Sequence, residues 1–232
     1  MADEEEPFLE RASVVGDPVA VGLAVHRYVR LADRTVLLVR TGIGLVNAAG
    51  AATSAILATA PEPGTPGSLV ISAGTAGGVG SAVRVGDVVV GSEYINIDAD
   101  ARAFGYALGQ VPRMPASYLG DHEALEALAR SEHTAGFAPS IVHIGLLTSS
   151  YSFVTPSRAL AIREALPAVL ATDMESVAIA QTSFVHARPF VSVRGISDLC
   201  GPVAEADFRT HVDDAAERSA AAVMAMLDRL AQ

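Results

Sequence analysis

Residues 68–80 read SLVISAGTAGGVG, a nearly continuous apolar run of strand length that leads into four glycines in seven residues. An apolar run without polar alternation predicts a strand buried on both faces, as in a parallel sheet covered by helices. The glycines after it let the backbone approach a ligand closely and direct N–H groups at it. This stretch therefore predicts an α/β fold with a binding site at the end of a central strand.

The rest of the chain alternates apolar strands with Ala-rich helices, the pattern that builds βα units. Strands are predicted at 20–31, 35–40, 68–73, 87–95, 140–148, 167–173 and 189–196, and helices at 4–12, 46–60, 122–131, 157–164, 175–186 and 204–231. The irregular stretch 98–120 and the loop 61–68 are too short for domain linkers. We expect one three-layer α/β domain over residues 1–232, with a central mixed, mostly parallel twisted sheet flanked by helices.

The composition excludes several classes of function. The 232 residues carry 16 basic and 26 acidic side chains, a net charge of −10 that disfavours nucleic acid and anionic membranes as partners. All 16 basic residues are arginine, so a Schiff-base lysine, a pyridoxal phosphate enzyme and a P-loop are excluded. The single Cys200 and the scattered histidines indicate a reduced, metal-free protein. Without a run of about 18 apolar residues or a signal peptide, we expect a cytoplasmic location.

Two glycine-containing segments are candidate binding loops. TGIG at 41–44 follows a strand and opens a helix, but it lacks the third glycine of the dinucleotide fingerprint, and a tight strand-to-helix turn explains it equally well. The glycines at 74–80 are not followed by the lysine of a nucleoside triphosphate loop. A sugar or anion site fits them better, with a plain turn as the alternative.

Acidic residues follow two of the predicted strands. Asp173 or Ser176 can cap the helix that begins there, whereas the carboxylate of Glu175 offers two oxygens side by side to a vicinal diol. Asp198, preceded by Ser197, follows the apolar strand PFVSVRGI. An acid in that partly dry environment has a raised pKa and can hold a proton for delivery. A helix cap is the alternative for Asp198, but the residues LCGPV that follow are poor helix openers.

Six motifs follow one another along nearly the whole chain: TGIGLVNAA (41–49), ISAGTAGG (71–78), VGDVVVGSE (85–93), DADARAFGYALGQVP (98–112), DMESVAIAQ (173–181) and PFVSVRGISD (189–198). In this order they resemble the bacterial 5′-methylthioadenosine/S-adenosylhomocysteine nucleosidases, within the nucleoside phosphorylase superfamily. The fourth motif is the most specific, since it marks the nucleosidase branch.

The resemblance implies hydrolysis of the N-glycosidic bond of 5′-substituted adenine nucleosides, without a cofactor or a metal. The substrates would be 5′-methylthioadenosine, S-adenosylhomocysteine and 5′-deoxyadenosine, and the products adenine and the 5′-substituted ribose. Asp198, with Ser197 beside it, would protonate purine N7 as the general acid. Glu175 would bind the ribose hydroxyls and favour the oxocarbenium character of the transition state.

The resemblance also implies the remaining substrate contacts. Phe153 would stack on the adenine, and backbone groups of Val154 would read its edge. Thr75, Ile43 and Met174 would line the sugar.

The base that activates the attacking water is implied by an Ala-Met-x-x-Glu motif, inside which this sequence begins. Placing Met1 on the family methionine puts Glu4 at the base position, with Glu5 and Glu6 as rivals. A solvated helix start, favoured by the helix dipole, is the alternative for this acidic run. The apolar strand that precedes the motif in the family is missing here, and a late start-site assignment or a truncation of the sequence is one explanation. If the strand is truly absent, we expect an interior strand of the sheet to be lost, with consequences for stability and for the placement of Glu4.

Other functions stay open at this stage. Ser72 stands where related phosphorylases place an arginine, so water is a better nucleophile than phosphate. Tyr151 stands where the family usually has an aspartate, in the loop SSYSF, and this leaves the preferred nucleoside open. A futalosine-type nucleoside hydrolase of menaquinone synthesis and a catalytically weakened nucleoside-binding paralogue are the alternatives, while the incomplete fingerprint makes a dinucleotide-binding oxidoreductase remote.

The resemblance further implies a homodimer. Phe104 and Pro112 would close the 5′ side of the neighbouring subunit's pocket. Packing of these apolar residues within their own chain is the alternative.

Overall fold

The computed structural model of the chain describes residues 1–61, 65, 67–129 and 141–230. The strands are β1 Val14–Val15, β2 Val19–Val21, β3 Ala24–Leu31, β4 Arg34–Arg40, β5 Val70–Gly78, β6 Val88–Asn96, β7 Tyr118–Leu119, β8 Val142–Ser149, β9 Val169–Asp173 and β10 Phe190–Asp198. The helices are α1 Ala2–Arg11, α2 Leu45–Ala58, α3 His122–Ala129, α4 Pro156–Ala165, α5 Ser176–Val185 and α6 Ala204–Arg229. A search of the described residues finds no helix with the length and apolarity needed to span a bilayer.

The strands form two sheets. β1 to β4 make a small antiparallel sheet in which β3 pairs with the other three strands. The larger sheet has the order β10-β5-β9-β8-β6-β7, and β10 also pairs with β6, so five strands close into a ring. β5 with β10, β6 with β8 and β8 with β9 are parallel, while β5 with β9 and β6 with β10 are antiparallel. The predicted mixed sheet is confirmed, and its closure is a feature that the sequence did not predict.

Alternation along the central strands produces the layers. On β6, Val88 and Val90 pack in one cluster with α6, α1 and α3, whereas Val89 between them packs in the other cluster with α2 and α5. On β10, Val191 and Val193 lie in the first cluster. Because successive side chains of a strand point to opposite faces, both faces of these strands are covered by helices, as the apolar runs predicted.

The predicted elements agree with the observed ones to within two residues, with four differences. The sequence analysis predicts no strand at Val14–Val15, where the structure has β1. The strand predicted at 20–31 is two strands, because the chain turns at Gly22, whose φ is 62°. The strand predicted at 68–73 continues to Gly78. The irregular stretch 98–120 contains a short 3-10 helix at Arg102–Phe104 and the two residues of β7. The ends of the helix predicted at 122–131 and of the last helix, and the start of the strand predicted at 140–148, lie outside the described residues.

Glycines in the central strands serve close packing rather than turns. A Cβ on Gly195 would lie 1.9 Å from the backbone oxygen of Ala215, so α6 rests directly on the backbone of β10. A Cβ on Gly77 would lie 2.5 Å from Sγ of Cys200. Gly74, Gly77 and Gly78 therefore belong to β5, whereas Gly80 lies two residues beyond its end.

Two strand edges face a common cavity. β4 pairs with β3 along one edge, and β5 pairs with β10 along one edge and with β9 at Gly77 and Gly78 only. Within the described residues the second edges of β4 and of Val70–Ala76 have no strand partner, and both strands line the same cavity of about 1020 Å³.

Candidate active site

The large cavity reaches the carboxyl ends of β5, β9 and β10, which is where α/β folds bind their ligands. Nine residues predicted from the sequence line it: Glu4, Ile43, Thr75, Phe153, Val154, Met174, Glu175, Ser197 and Asp198. Phe104 and Pro112 do not line it. Both are exposed, Phe104 by 83%.

Asp198 ends β10 and is 2% exposed. Ser197 Oγ donates to its Oδ2 at 3.1 Å, and the Cys200 N–H donates to its Oδ1 at 2.9 Å. Burial raises the pKa of Asp198, against the opposing effect of these donors. The sequence-based prediction of a buried acid with a raised pKa is confirmed, and this carboxyl group can hold a proton at a pH where an exposed aspartate has lost it.

Glu175 precedes α5 at the end of β9. Its Oε1 accepts the Gly44 N–H at 2.9 Å, and its Oε2 lies 3.9 Å from Nη1 of Arg194. Gly44 has a φ of 100°, so the TGIG turn needs glycine there in order to direct this N–H at Glu175. Burial raises the pKa of Glu175, and the charge of Asp173 adds to the rise, whereas Arg194 opposes it.

Arg194 is the charged residue of β10 that the sequence analysis did not assign. It is 2% exposed, with Nε 2.9 Å from Oδ2 of Asp173 and Nη2 donating to Ser72 Oγ at 2.7 Å. A buried guanidinium persists only where it is paired and hydrogen-bonded. In the sequence, Arg194 is recognisable only as a single arginine inside an otherwise apolar strand. The residues that pair with it become known only from the fold.

Glu4 reaches the cavity from the first turn of α1. Its Oε1 accepts two hydrogen bonds from Thr75, one from the backbone N–H at 2.8 Å and one from Oγ1 at 3.0 Å. Burial alone raises the pKa of Glu4, but the Met1 ammonium, the Arg194 guanidinium and the Thr75 N–H together hold it below its ordinary value. This carboxylate is therefore ionised and able to accept a proton.

The two rivals of Glu4 have different surroundings. The Glu5 carboxylate lies 3.3 Å from Arg40 and 3.8 Å from Arg27. Glu6 is exposed. Of the three, Glu4 is the residue whose carboxylate accepts hydrogen bonds from Thr75 in the glycine-rich strand.

Phe153 and Val154 lie in the loop between β8 and α4. Phe153 is half exposed, and its ring meets that of Phe208 edge-on, with centroids 6.4 Å apart. Val154 is buried. Phe208 belongs to α6 and also lines the cavity, a contribution that sequence reasoning missed because a single aromatic residue on a long amphipathic helix carries no signal of its own.

Among the described residues there is no group of three or more His, Cys, Asp or Glu side chains that could hold a metal ion. Three of the carboxyl groups that line the cavity, those of Asp198, Glu175 and Glu4, lie in different environments. Such a set can donate a proton at one point and accept one at another without a cofactor.

Comparison with known proteins defines the class. Residues 7–228 match the phosphorylase superfamily. The match includes all of the predicted cavity residues named above except Glu4.

Individual relatives narrow the assignment. A 5′-methylthioadenosine/S-adenosylhomocysteine nucleosidase from Chromohalobacter salexigens is 40% identical over 196 residues, which are 84% of this chain and 80% of that protein. One from Geobacillus kaustophilus is 34% identical over 234 residues, covering 100% of this chain and 96% of that protein. The chain belongs to the phosphorylase superfamily and, within it, to the 5′-methylthioadenosine/S-adenosylhomocysteine nucleosidases.

Solved structures agree with this assignment. The nucleosidase from Neisseria meningitidis, in complex with methylthio-immucillin-A, has a TM-score of 0.91 and 37% identity, with 98% of this chain and 95% of that chain covered. The nucleosidase from Colwellia psychrerythraea, in complex with adenine, has a TM-score of 0.92 and 29% identity, with 99% and 92% covered.

Proposed function

We propose that this protein hydrolyses the N-glycosidic bond of 5′-methylthioadenosine, S-adenosylhomocysteine and 5′-deoxyadenosine, releasing adenine and the 5′-substituted ribose. The observation that carries the proposal is the set of three carboxyl groups, Asp198, Glu175 and Glu4, around one cavity. The pKa of Asp198 is raised and that of Glu4 is lowered. Groups whose pKa values are pushed apart in this way divide into an acid and a base.

In the proposed reaction, Asp198 delivers its proton to N7 of the purine. The bond between C1′ and N9 then breaks with its electron pair moving to the purine, which leaves as a neutral base. Proton delivery to a poor leaving group contributes typically about 10²–10⁴-fold to a rate. The burial of Asp198 keeps the proton available for this step.

The ribose and the water are handled by the other two carboxylates. Glu175 accepts the ribose hydroxyls, and its charge stabilises the positive charge that develops at C1′. Glu4 takes a proton from the water whose oxygen attacks C1′. Thr75 fixes Glu4 through two hydrogen bonds, which supports a defined position for the base.

The remaining cavity residues are proposed as substrate contacts. Phe153 stacks on the purine, and Phe208 packs edge-on against the Phe153 ring. The backbone of Val154 recognises the polar edge of the purine. Thr75, Ile43 and Met174 line the sugar.

Water is proposed as the nucleophile in preference to phosphate. The carboxylates of the site repel a phosphate dianion. Arg194 beside them is already bound to Asp173 and to Ser72. A phosphate would therefore have to displace existing partners of this guanidinium.

We also propose that the protein is a homodimer in which Phe104 and Pro112 close the neighbouring pocket. α2 and α5 pack side by side and present large apolar side chains that are each more than half exposed, namely Val46, Leu57, Phe184 and Val185. Exposed apolar side chains on adjoining helices indicate an interaction surface. The exposed Phe104, which lies outside the cavity of its own chain, is free to reach another.

We further propose that the reaction belongs to methionine salvage and takes place in the cytoplasm. A single buried cysteine, Cys200, is consistent with a reducing compartment.

The experiment that tests the function is adenine release, followed by chromatography, from methylthioadenosine, S-adenosylhomocysteine and an aminodeoxyfutalosine, each with and without phosphate. We expect adenine release from methylthioadenosine and from S-adenosylhomocysteine, and for each of them the same rate with phosphate as without it. Release that requires phosphate would indicate a phosphorylase, and release from the futalosine alone would indicate the menaquinone pathway. Binding of adenine without any release would leave a nucleoside-binding protein.

A further inference from the structure

The loop between β8 and α4 carries the residues proposed to bind the purine. Ser152, Phe153 and Val154 of this loop line the cavity, whereas Ser150 and Tyr151 do not. Tyr151 is 57% exposed. The segment SSYSF holds no acidic residue, so a charged group that fixes the loop has to come from elsewhere in the chain.

Asp98, two residues after β6, supplies that group. Its Oδ2 accepts the Tyr151 N–H at 2.6 Å, and its Oδ1 accepts Ser150 Oγ at 3.2 Å. Nη2 of Arg158, on the first turns of α4, pairs with the same Oδ1. One carboxylate thus binds the beginning of the loop and the helix that ends it.

Asp98 is itself held in place. Its N–H donates to Oδ1 of Asn96 at 3.0 Å, and the N–H of Ile97 donates to the Ser149 oxygen at 3.2 Å. These bonds tie the residue to the ends of β6 and β8, which are parallel neighbours in the central sheet. The loop is therefore fastened to the rigid part of the fold through Asp98.

We propose that Asp98 is a positioning residue for purine recognition, which holds the loop so that Phe153 and Val154 keep their places in the cavity. The proposal rests on the proposed function. Asp98 does not line the cavity and has no hydrogen bond to Asp198, Glu175 or Glu4, so it does not act on these carboxylates directly. Side chains that fix a binding group from behind decide how well that group is placed.

The consequence is a selective loss of binding. Without Asp98 the loop loses charge-assisted hydrogen bonds, and the purine must order it on binding, which weakens affinity. The three carboxylates keep their positions, so the chemical step in the bound complex is unchanged. A loosened backbone at Val154 also distinguishes less well between the 6-amino group of adenine and the 6-oxo group of hypoxanthine.

The test compares Asp98→Asn and Asp98→Ala with the unaltered chain. Asn keeps an acceptor for the Tyr151 N–H, whereas Ala removes it, so KM for methylthioadenosine is expected to rise about tenfold and about a hundredfold respectively, with kcat within about twofold. The adenine Kd, measured by calorimetry, is expected to rise by similar factors. The preference for adenine over hypoxanthine nucleosides is expected to fall.

Asp214→Asn is the matched control, because Asp214 also pairs with an arginine, Arg218, but is itself exposed on α6, far along the chain from the loop. It is expected to leave KM, kcat and the adenine Kd unchanged. If Asp98→Ala does not fold, Asp98→Asn, which conserves the side-chain volume, decides the question.

Two results would overturn the positioning role: a fall in kcat with KM unchanged, or an unchanged adenine Kd in a folded Asp98 variant. Failure of the proposed function is distinguishable from this. If the unaltered chain binds adenine but hydrolyses no nucleoside, the function is wrong, and the adenine Kd of the variants still decides the role of Asp98.

Discussion

The Glu4 carboxylate and Thr75 are joined by two hydrogen bonds, from the Thr75 N–H at 2.8 Å and from Thr75 Oγ1 at 3.0 Å, both to the same oxygen. This pair connects the first helix to the middle of the glycine-rich strand. The neighbouring Gly74 makes room for it, because a Cβ at that position would lie 2.6 Å from Glu4 Oε1 and 2.6 Å from Nη1 of Arg194. The absence of a side chain at Gly74 thus lets the Glu4 carboxylate and the Arg194 guanidinium approach the same point of β5.

The first prediction concerns the base. Glu4→Gln removes the proton acceptor while keeping the hydrogen bonds from Thr75, so kcat for methylthioadenosine is expected to fall about 10²–10⁴-fold with little change in stability. Single-turnover kinetics and a thermal melt measure the two effects. Glu6→Gln, at an exposed position, is the control with no expected effect. A Glu4→Gln enzyme of ordinary activity would return the choice of base to Glu5.

A second prediction follows from the raised pKa of Asp198, which burial causes. The folded state keeps this proton to a higher pH than the unfolded state, so between the two pKa values the folded chain binds more protons and stability falls as pH rises. Asp198→Asn removes the titration. Its Tm is therefore expected to exceed that of the unaltered chain by an amount that grows as pH rises from the ordinary aspartate range, then levels off.

The same substitution separates stability from catalysis. Asp198→Asn is expected to lose hydrolysis about 10²–10⁴-fold, because the amide has no proton to give to N7. Thermal melts at several pH values, with Asp214→Asn as the exposed control, measure the stability effect. A variant whose Tm runs parallel to that of the unaltered chain at every pH, or whose turnover is ordinary, would contradict the role of a buried general acid.

The sequence predicted most of what these experiments address. Asp198 could be found because an apolar strand that ends in Ser-Asp buries an acid whatever its neighbours are. Glu175 could be found because polar residues at strand ends face the ligand edge of an α/β fold, whereas Thr75 was implied only by the family resemblance.

What the sequence could not supply depends on long-range pairing. Closure of the sheet requires β10 to meet β6, about 100 residues away, and no local pattern encodes that contact. The pairing of Arg194 with Asp173 and Ser72 and the contact of Phe208 with Phe153 likewise follow from the fold and not from a local sequence pattern. The loop at Tyr151 has no acid in its own sequence, and only the fold brings Asp98 to it from beyond the end of β6.

A third prediction concerns the edges of β4 and of Val70–Ala76 that have no strand partner among the described residues. Fusing an apolar strand of about seven residues ahead of Met1 is expected to raise Tm, because its backbone can pair with both edges while its side chains fill the cavity between them. Each 1 kcal/mol gained raises Tm by about 2–4 °C in a chain of this size. A Gly-Ser extension of equal length is the control, since it removes the pairing of the Met1 ammonium with Glu4 in the same way. Equal Tm values for both extensions would show that the gap does not accept a strand.

The fourth prediction tests shared pockets. Light scattering is expected to give the mass of two chains. If Phe104 closes the neighbour's pocket, Phe104→Ala and Asp198→Asn chains are each weak alone, but a mixed dimer contains one complete site: the Asp198 of one chain under the Phe104 of the other. Unfolding and refolding the two variants together is therefore expected to give more activity than the mean of the separate preparations. Pro112→Ala can replace Phe104→Ala in a second pairing. A mixture that equals the mean, or a protein that scatters as a single chain, would mean that Phe104 serves only its own subunit.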